Sequence, residues 1–240
     1  TLTQATIYVL RPMITYRALE LDANAAQIGL IASVYALFPV LLALQFGKWV
    51  GRMGEAKFII YGTLAMLVTS AGLMVAHSIL WLSIAAACAG TAHLACMVGG
   101  QSMVALRAPR ESYDRYFGFY TFSASVGHML GPIVAAVVAG SNGNLPKSTS
   151  NAFLLGVVLT ILALFPVIRW RNERPTVVAQ QNSEGTYKTA LNLVKRPGIL
   201  AAIYISLAIS SAADVLVVFL PLFGTENNFS PYAVGAILAI

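Results

Sequence analysis

The chain has 240 residues and a mass of 25.5 kDa, with 15 basic and 9 acidic side chains and a formal net charge of +6. Charged residues make up 10% of it, against about 25% in soluble domains, while apolar types make up 58% and the mean hydropathy is +0.75. So few charges cannot cover a soluble surface, which excludes an ordinary soluble enzyme, a disordered chain and a nucleic-acid binder.

A hydrocarbon core of about 30 Å is crossed by roughly 20 mostly apolar residues in a helix. The sequence carries six complete segments of that kind and a partial one at each end. They run from about 2 to 18, 25 to 47, 58 to 76, 79 to 105, 115 to 139, 151 to 169 and 198 to 222; the eighth starts at Pro231 and stops in mid-span at Ile240. The first has neither a basic lead nor a small-residue cleavage site, so no signal peptide is expected. Both ends of the chain are expected to fall inside helices that continue. Cys88 and Cys96 lie in the fourth segment and read as buried thiols. Asp22 and Asn24 before the second segment, and Ser230-Pro231 before the eighth, suit helix starts.

Only the connection from 170 to 197 is long, polar and basic. Tyr187, Ala190, Leu191 and Val194 share a helical face there beside Lys188, Lys195 and Arg196. That pattern suits a short helix lying on an anionic inner surface, with a disordered linker as the alternative. The expected organisation is a six-helix transmembrane bundle over 1–170, a cytoplasmic loop over 171–197 and the start of a second bundle over 198–240.

Twelve of the 15 basic residues lie in or beside connections 2–3, 4–5 and 6–7: Lys48, Arg52, Lys57, Arg107, Arg110, Arg115, Arg169, Arg171, Arg174, Lys188, Lys195 and Arg196. The opposite connections hold only Lys147, with Arg17 near the end of the first helix. Positive residues mark the cytoplasmic side, so these loops and the N-terminus are expected inside. An internal match supports two halves. Glu20–Gly29 aligns without gaps on Glu226–Gly235, a constant offset of 206 (226 less 20), with Asn24 over Ser230 as caps. Parallel repeats of six helices are one architecture of secondary transporters.

After the second segment the sequence reads Gly47-Lys-Trp-Val-Gly51-Arg52-Met-Gly54-Glu55-Ala-Lys57. Small residues there allow a tight turn, and the basic ones hold it at the inner surface. This resembles the loop 2–3 signature of the major facilitator superfamily, with Gly47, Arg52 and Gly54 at the family spacing. The family aspartate is replaced by Gly51 and the next arginine by Glu55, which offers a substitute carboxylate. In the fifth segment Gly118, Gly127 and Gly131-Pro132, followed by Ala135-Ala136, resemble the antiporter motif of the same superfamily. Gly127 and Gly131 also form a small-xxx-small face that permits close helix contact, and Pro132 bends the helix. The fourth segment departs from the family. Proton-coupled members carry an arginine four residues before a glycine there, whereas Gly90 is preceded by Ala86.

Ionisable groups at membrane depth are expensive and therefore candidates for function. Arg11, His93, His128 and Asp214 lie there. The resemblance places helices 1, 4 and 7 around a central cavity, so Arg11, His93 and Asp214 are expected to face it. Gln101 shares a helical face with His93 and joins them as a substrate- or proton-pathway candidate, while His128 reads as packing and His77 as a solvated loop residue. The repeat offset sets Asp214 opposite Tyr8, within about 4.5 Å of the height of Arg11, so those two charges are expected to pair. Trp49, Trp81 and Trp170 sit at span ends, as aromatic belts do.

The expected protein is an all-α integral membrane protein of the cell (plasma or inner) membrane, multi-pass and monomeric. It resembles a transporter that moves a small-molecule substrate through the lipid bilayer by alternating access, with protons as coupling ion and efflux by antiport as its direction. A facilitator or symporter is the alternative within transport. A transport-dead membrane sensor is the alternative outside it. An enzyme is not expected, since the sequence holds neither His-Glu-x-x-His nor Gly-x-Ser-x-Gly, and no cofactor, metal site or nucleic-acid partner is expected.

Overall fold

A computed structural model describes residues 2–169 and 194–239; the stretch 170–193, with Trp170 and most of the expected surface helix, lies outside the described residues. The described residues form α1 (Leu2–Glu20), α2 (Ala25–Met53), α3 (Glu55–Met74), α4 (Ile79–Arg107), a short 3-10 turn (Arg110–Ser112), α5 (Tyr113–Ala139), α6 (Thr149–Arg169), α7 (Ile199–Glu226) and α8 (Pro231–Ile237). Six of these, α2 to α7, are long and apolar enough to cross a membrane. Among the described residues there is no strand, only an isolated bridge between Asn142 and Leu145 in the connection to α6.

The least apolar of the long helices is the most enclosed. α1 packs against α4, α5, α6 and α7, and buries Gln4, Thr6, Arg11 and Thr15 along with its apolar residues. α3 lies on α4 and α6, and α2 on α4. In a lipid environment these contacts depend on close approach rather than on escape from water, so small residues line them. Ala85, Ala86, Ala89, Ala92 and Ala95 are the buried face of α4, and Gly62, Gly99 and Gly156 each lie against a side chain of the next helix.

Several boundaries differ from the sequence expectation. α2 continues to Met53, so Gly47, Gly51 and Arg52 belong to its last turns and are exposed, and only Gly54 separates it from α3. Gly54 has φ 83°, a conformation that carries no steric penalty only in glycine, and it caps both helices. Glu55 opens α3 at 1% exposure, where its Oε1 accepts from Arg107 Nε at 2.9 Å. Its other oxygen has no hydrogen-bond partner among the described residues. Cys88, expected buried, is exposed on α4, whereas Cys96 is buried.

The internal match extends to the backbone. Asp22 (φ 57°) and Asn228 (φ 59°), separated by 206 positions, are the two non-glycine residues with positive φ among the described ones. Each ends its helix in the same way, with a six-to-one bond from Ala23 N to Ala18 O at 3.0 Å and from Phe229 N to Gly224 O at 2.7 Å. Asn24 and Ser230 then cap the following helices through side-chain acceptors. α7 and α8 therefore restart the pattern of α1 and α2.

Among the described residues, α7 buries only its C-terminal part against the other helices. On α7 the buried residues are Val217, Pro221 and Gly224, and the preceding stretch from Leu200 to Leu216 is exposed. On α5 the buried residues begin at Gly127. At that end Gly235 of α8 approaches α5 so closely that a Cβ would lie 2.8 Å from the Pro132 carbonyl oxygen, and Asn144 Nδ2 donates to Thr225 O at 2.8 Å. The opposite end carries Lys57, Arg110 and Arg196.

Candidate functional site

α1 presents a stripe of polar residues at helical spacing: Gln4, Tyr8, Arg11 and Thr15. Halfway along it, Arg11 Nη1 contacts Asp214 Oδ1 of α7 at 2.5 Å. One turn further Thr15 Oγ1 donates to the Val218 carbonyl at 3.1 Å, so α1 and α7 run in parallel register. Arg11 is 9% exposed and Asp214 54%. The buried cation is thus fixed within the first half, and the more open carboxylate comes from the second.

Arg11 is enclosed by aromatic groups. Its guanidinium carbon lies 4.8 Å from the centre of the Tyr35 ring on α2, within the range of a cation–π contact. The Tyr35 hydroxyl is 3.0 Å from Nδ1 of His93 on α4. His93 Nε2 is 3.1 Å from Oε1 of Gln4, and His128 Nε2, on α5, is 3.3 Å from the same oxygen. The His128 ring stacks on Tyr8 with centroids 3.9 Å apart, and Tyr8 stands three residues before Arg11 on the same face of α1. Seven residues from five helices form one connected cluster.

Local sequence brings these helices together at this depth. Tyr8, Tyr35 and His128 each stand four residues before an in-helix proline: Pro12, Pro39 and Pro132. Proline has no N–H, so the carbonyl one turn earlier loses its intrahelical donor and the helix bends there. Two of these points are met by glycine. A Cβ on Gly90 would lie 2.0 Å from the Tyr35 carbonyl oxygen, and one on Gly131 would lie 2.7 Å from Tyr8 Cβ and 3.0 Å from Ala5 O. Ala86, where the resemblance leads one to expect arginine, lines a cavity of about 20 Å³ together with Arg11 and Tyr35. The guanidinium beside position 86 comes from α1 instead of α4.

Two larger spaces flank the cluster. One of about 620 Å³ lies between the halves, lined by Tyr8, His128, Met129, Leu216, Val217 and Leu238 among others. Another of about 320 Å³ lies inside the first bundle and is reached by Gln4, Cys96, Tyr120 and Ser123. Among the described residues, no group of three or more His, Cys, Asp or Glu is placed to hold a metal.

Of the sequence candidates, Arg11, His93 and Asp214 lie in the cluster, and His128, read there as packing, joins them. Gln101 does not: it is exposed, two turns and about 12 Å along the axis from His93. Gly127, Gly131 and Pro132 lie in the contacts of α5, whereas Gly118 is exposed with nothing near it. Gln4, Tyr8 and Tyr35 were not candidates. The stripe on α1 and the tyrosine-to-proline spacing are the signals that mark them.

A family model described as Major Facilitator Superfamily matches residues 1–240. Among curated proteins, Multidrug resistance protein 1 of Bacillus subtilis (strain 168) is 24% identical over 146 residues, which are 60% of this chain and 38% of that protein. Among solved structures, a D-xylose-proton symporter superposes with a TM-score of 0.64 at 12% identity, covering 99% of this chain and 63% of that one. A peptide transporter POT (E310Q mutant) in complex with sulfate superposes with a TM-score of 0.58 at 14% identity, covering 92% and 50%. The chain thus spans between about a third and two thirds of the length of these relatives.

Proposed function

Because the chain belongs to the Major Facilitator Superfamily, we propose that the protein is a secondary active transporter that moves a small organic solute by alternating access, coupled to protons and working in efflux. The observation that carries this reading is the Arg11–Asp214 pair, which joins α1 of one half to α7 of the other. A lone charge near the midplane costs about 2.5–3.5 kcal/mol on insertion scales, so each partner stabilises the other there. A proton on Asp214 removes the attraction and lets the halves part. Deprotonation restores it. Arg11, beside Ala86, supplies the permanent positive charge.

The space of about 620 Å³ between the halves is within the size range of small-molecule sites, and its wall is apolar apart from Tyr8, Ser125 and His128. That wall suits an amphipathic organic solute. The name of the Bacillus subtilis relative supports the same direction. The basic residues at the ends of α2–α3 and α4–α5 support a cytoplasmic location for the side that carries them by the positive-inside rule.

The reading is tested with the intact protein in proteoliposomes under an imposed pH gradient, using ethidium and a panel of fluorescent organic dyes as probes. Dye movement against its own gradient, abolished when the pH gradient is collapsed, is expected. Protein-dependent exchange indifferent to the pH gradient contradicts proton coupling. Movement of no dye in the panel contradicts efflux of organic solutes.

A further inference from the structure

Gln4 Oε1 is the shared partner of both imidazoles in the cluster. A carbonyl oxygen only accepts, so both Nε2 atoms must carry hydrogen. For His93 the other nitrogen faces the Tyr35 hydroxyl at 3.0 Å. A neutral ring with hydrogen on Nε2 satisfies both contacts, its Nδ1 accepting from that hydroxyl. From Gln4 two arms lead to Arg11. One runs through His93 and Tyr35, on α4 and α2. The other runs through His128, on α5, to Tyr8, three residues before Arg11 on the same face of α1. The arms flank the guanidinium, and Gln4 is the point where they join.

We propose that Gln4 is the positioning residue of this site. It fixes the tautomers of His93 and His128, and through them the two tyrosine rings that hold Arg11. The histidines act as neutral supports and exchange no protons during transport. Arg11, flanked by the two tyrosines, stays with α1, and Asp214, held through one oxygen, is the partner that separates from it. This rests on the reading of Arg11–Asp214 as the coupling pair. The ionisable groups facing the two imidazoles are Tyr8 and Arg11 from α1 and Tyr35 from α2, with Asp214 from α7 beyond Arg11. Of these, Asp214 alone is assigned a change of protonation.

The test uses the intact protein in lipid, with histidine labelled by nitrogen-15. The chain has 3 histidines, so His77, His93 and His128 are assigned by single replacement. His93 and His128 are expected as neutral Nε2–H tautomers, with signals unchanged between about pH 5.5 and 8, a range over which an ordinary imidazole titrates. Gln4→Leu, which removes the shared acceptor, should mix the tautomers of both rings and slow ethidium exchange at least tenfold. His128→Gln keeps a donor toward Gln4 and cannot titrate but loses the ring that stacks on Tyr8, so its exchange should slow while the pH profile keeps its wild-type shape. Titration of either imidazole in the wild type, or a flattened pH profile in His128→Gln, would overturn the proposal by making a histidine a proton carrier. Unchanged imidazole signals in Gln4→Leu would overturn it as well. Failure of the coupling reading itself appears elsewhere, as Asp214→Asn exchange with a wild-type pH profile, and leaves the tautomer result standing.

Discussion

Gly90→Ala is a perturbation of one methyl group whose effect follows from a single distance. The new Cβ would stand 2.0 Å from the carbonyl oxygen of Tyr35, and backbone cannot swing away as a side-chain tip can. Real Cβ contacts do not fall below about 3 Å, so α2 and α4 must separate by about 1 Å at this depth. α2 carries Tyr35 and α4 carries His93, one turn beyond Gly90. A displacement of that size stretches the 3.0 Å bond between them to about 4 Å, past hydrogen-bond range, and lifts the Tyr35 ring from Arg11. Overpacking of this kind costs about 1–3 kcal/mol. The matched control is Gly47→Ala on the same α2, where a Cβ meets nothing within 4 Å and the gain in helix propensity is about 0.5–1 kcal/mol. Thermal melting in detergent and ethidium exchange in proteoliposomes should both separate the two variants. Gly90→Ala is expected to melt several degrees lower and exchange poorly, and Gly47→Ala to match wild type or exceed it. Equal melting and equal exchange in the two would refute the close α2–α4 contact.

Gly131→Val should abolish exchange while membrane insertion is retained, because its side chain meets Tyr8 and Ala5 of α1, whereas Gly118→Val, in open space, should be silent; exchange and surface expression of the pair decide it. Glu55→Gln keeps an oxygen for Arg107 but loses the charge, so it should lower the melting temperature by the equivalent of about 1 kcal/mol, the difference between a charged and a neutral hydrogen bond, and added salt should do less to the variant than to wild type. Single cysteines at Lys57 and Arg110, in a background lacking Cys88 and Cys96, should resist an impermeant reagent added outside cells, and one at Asn144 should react; the reverse pattern would invert the orientation.

The helices were legible because hydropathy and length suffice to mark a span, and the caps at Asn24 and Ser230 were visible as residue types. What failed at the boundaries had a local cause. α2 runs through Gly47 and Gly51 because glycine inside a long helix weakens it without ending it, and the chain reverses only where Gly54 adopts a positive φ. The burial of Cys88 was misjudged because an apolar run does not reveal which side faces lipid. In the site, charge was the readable signal: Arg11 and Asp214 are conspicuous in an apolar sequence, and the repeat offset set them at one height. Gln4, Tyr8 and Tyr35 are ordinary by type, and their place depends on which helices cross. Gln101 misled because a shared helical face does not place two residues at the same depth. Its position, two turns nearer the end of α4 that carries Arg107, leaves it outside the cluster.

The account turns on Asp214 as the group whose protonation frees Arg11 and lets the halves part. The most direct measurement is the pH dependence of ethidium exchange by Asp214→Asn and by the Asp214→Asn, Arg11→Gln double variant, each against wild type. The account predicts that Asp214→Asn exchanges slowly with no response to pH between about 5.5 and 8. It predicts that the double variant, relieved of an uncompensated buried charge, recovers expression or partial exchange relative to either single variant. Wild-type exchange with an unchanged pH profile in Asp214→Asn would contradict it.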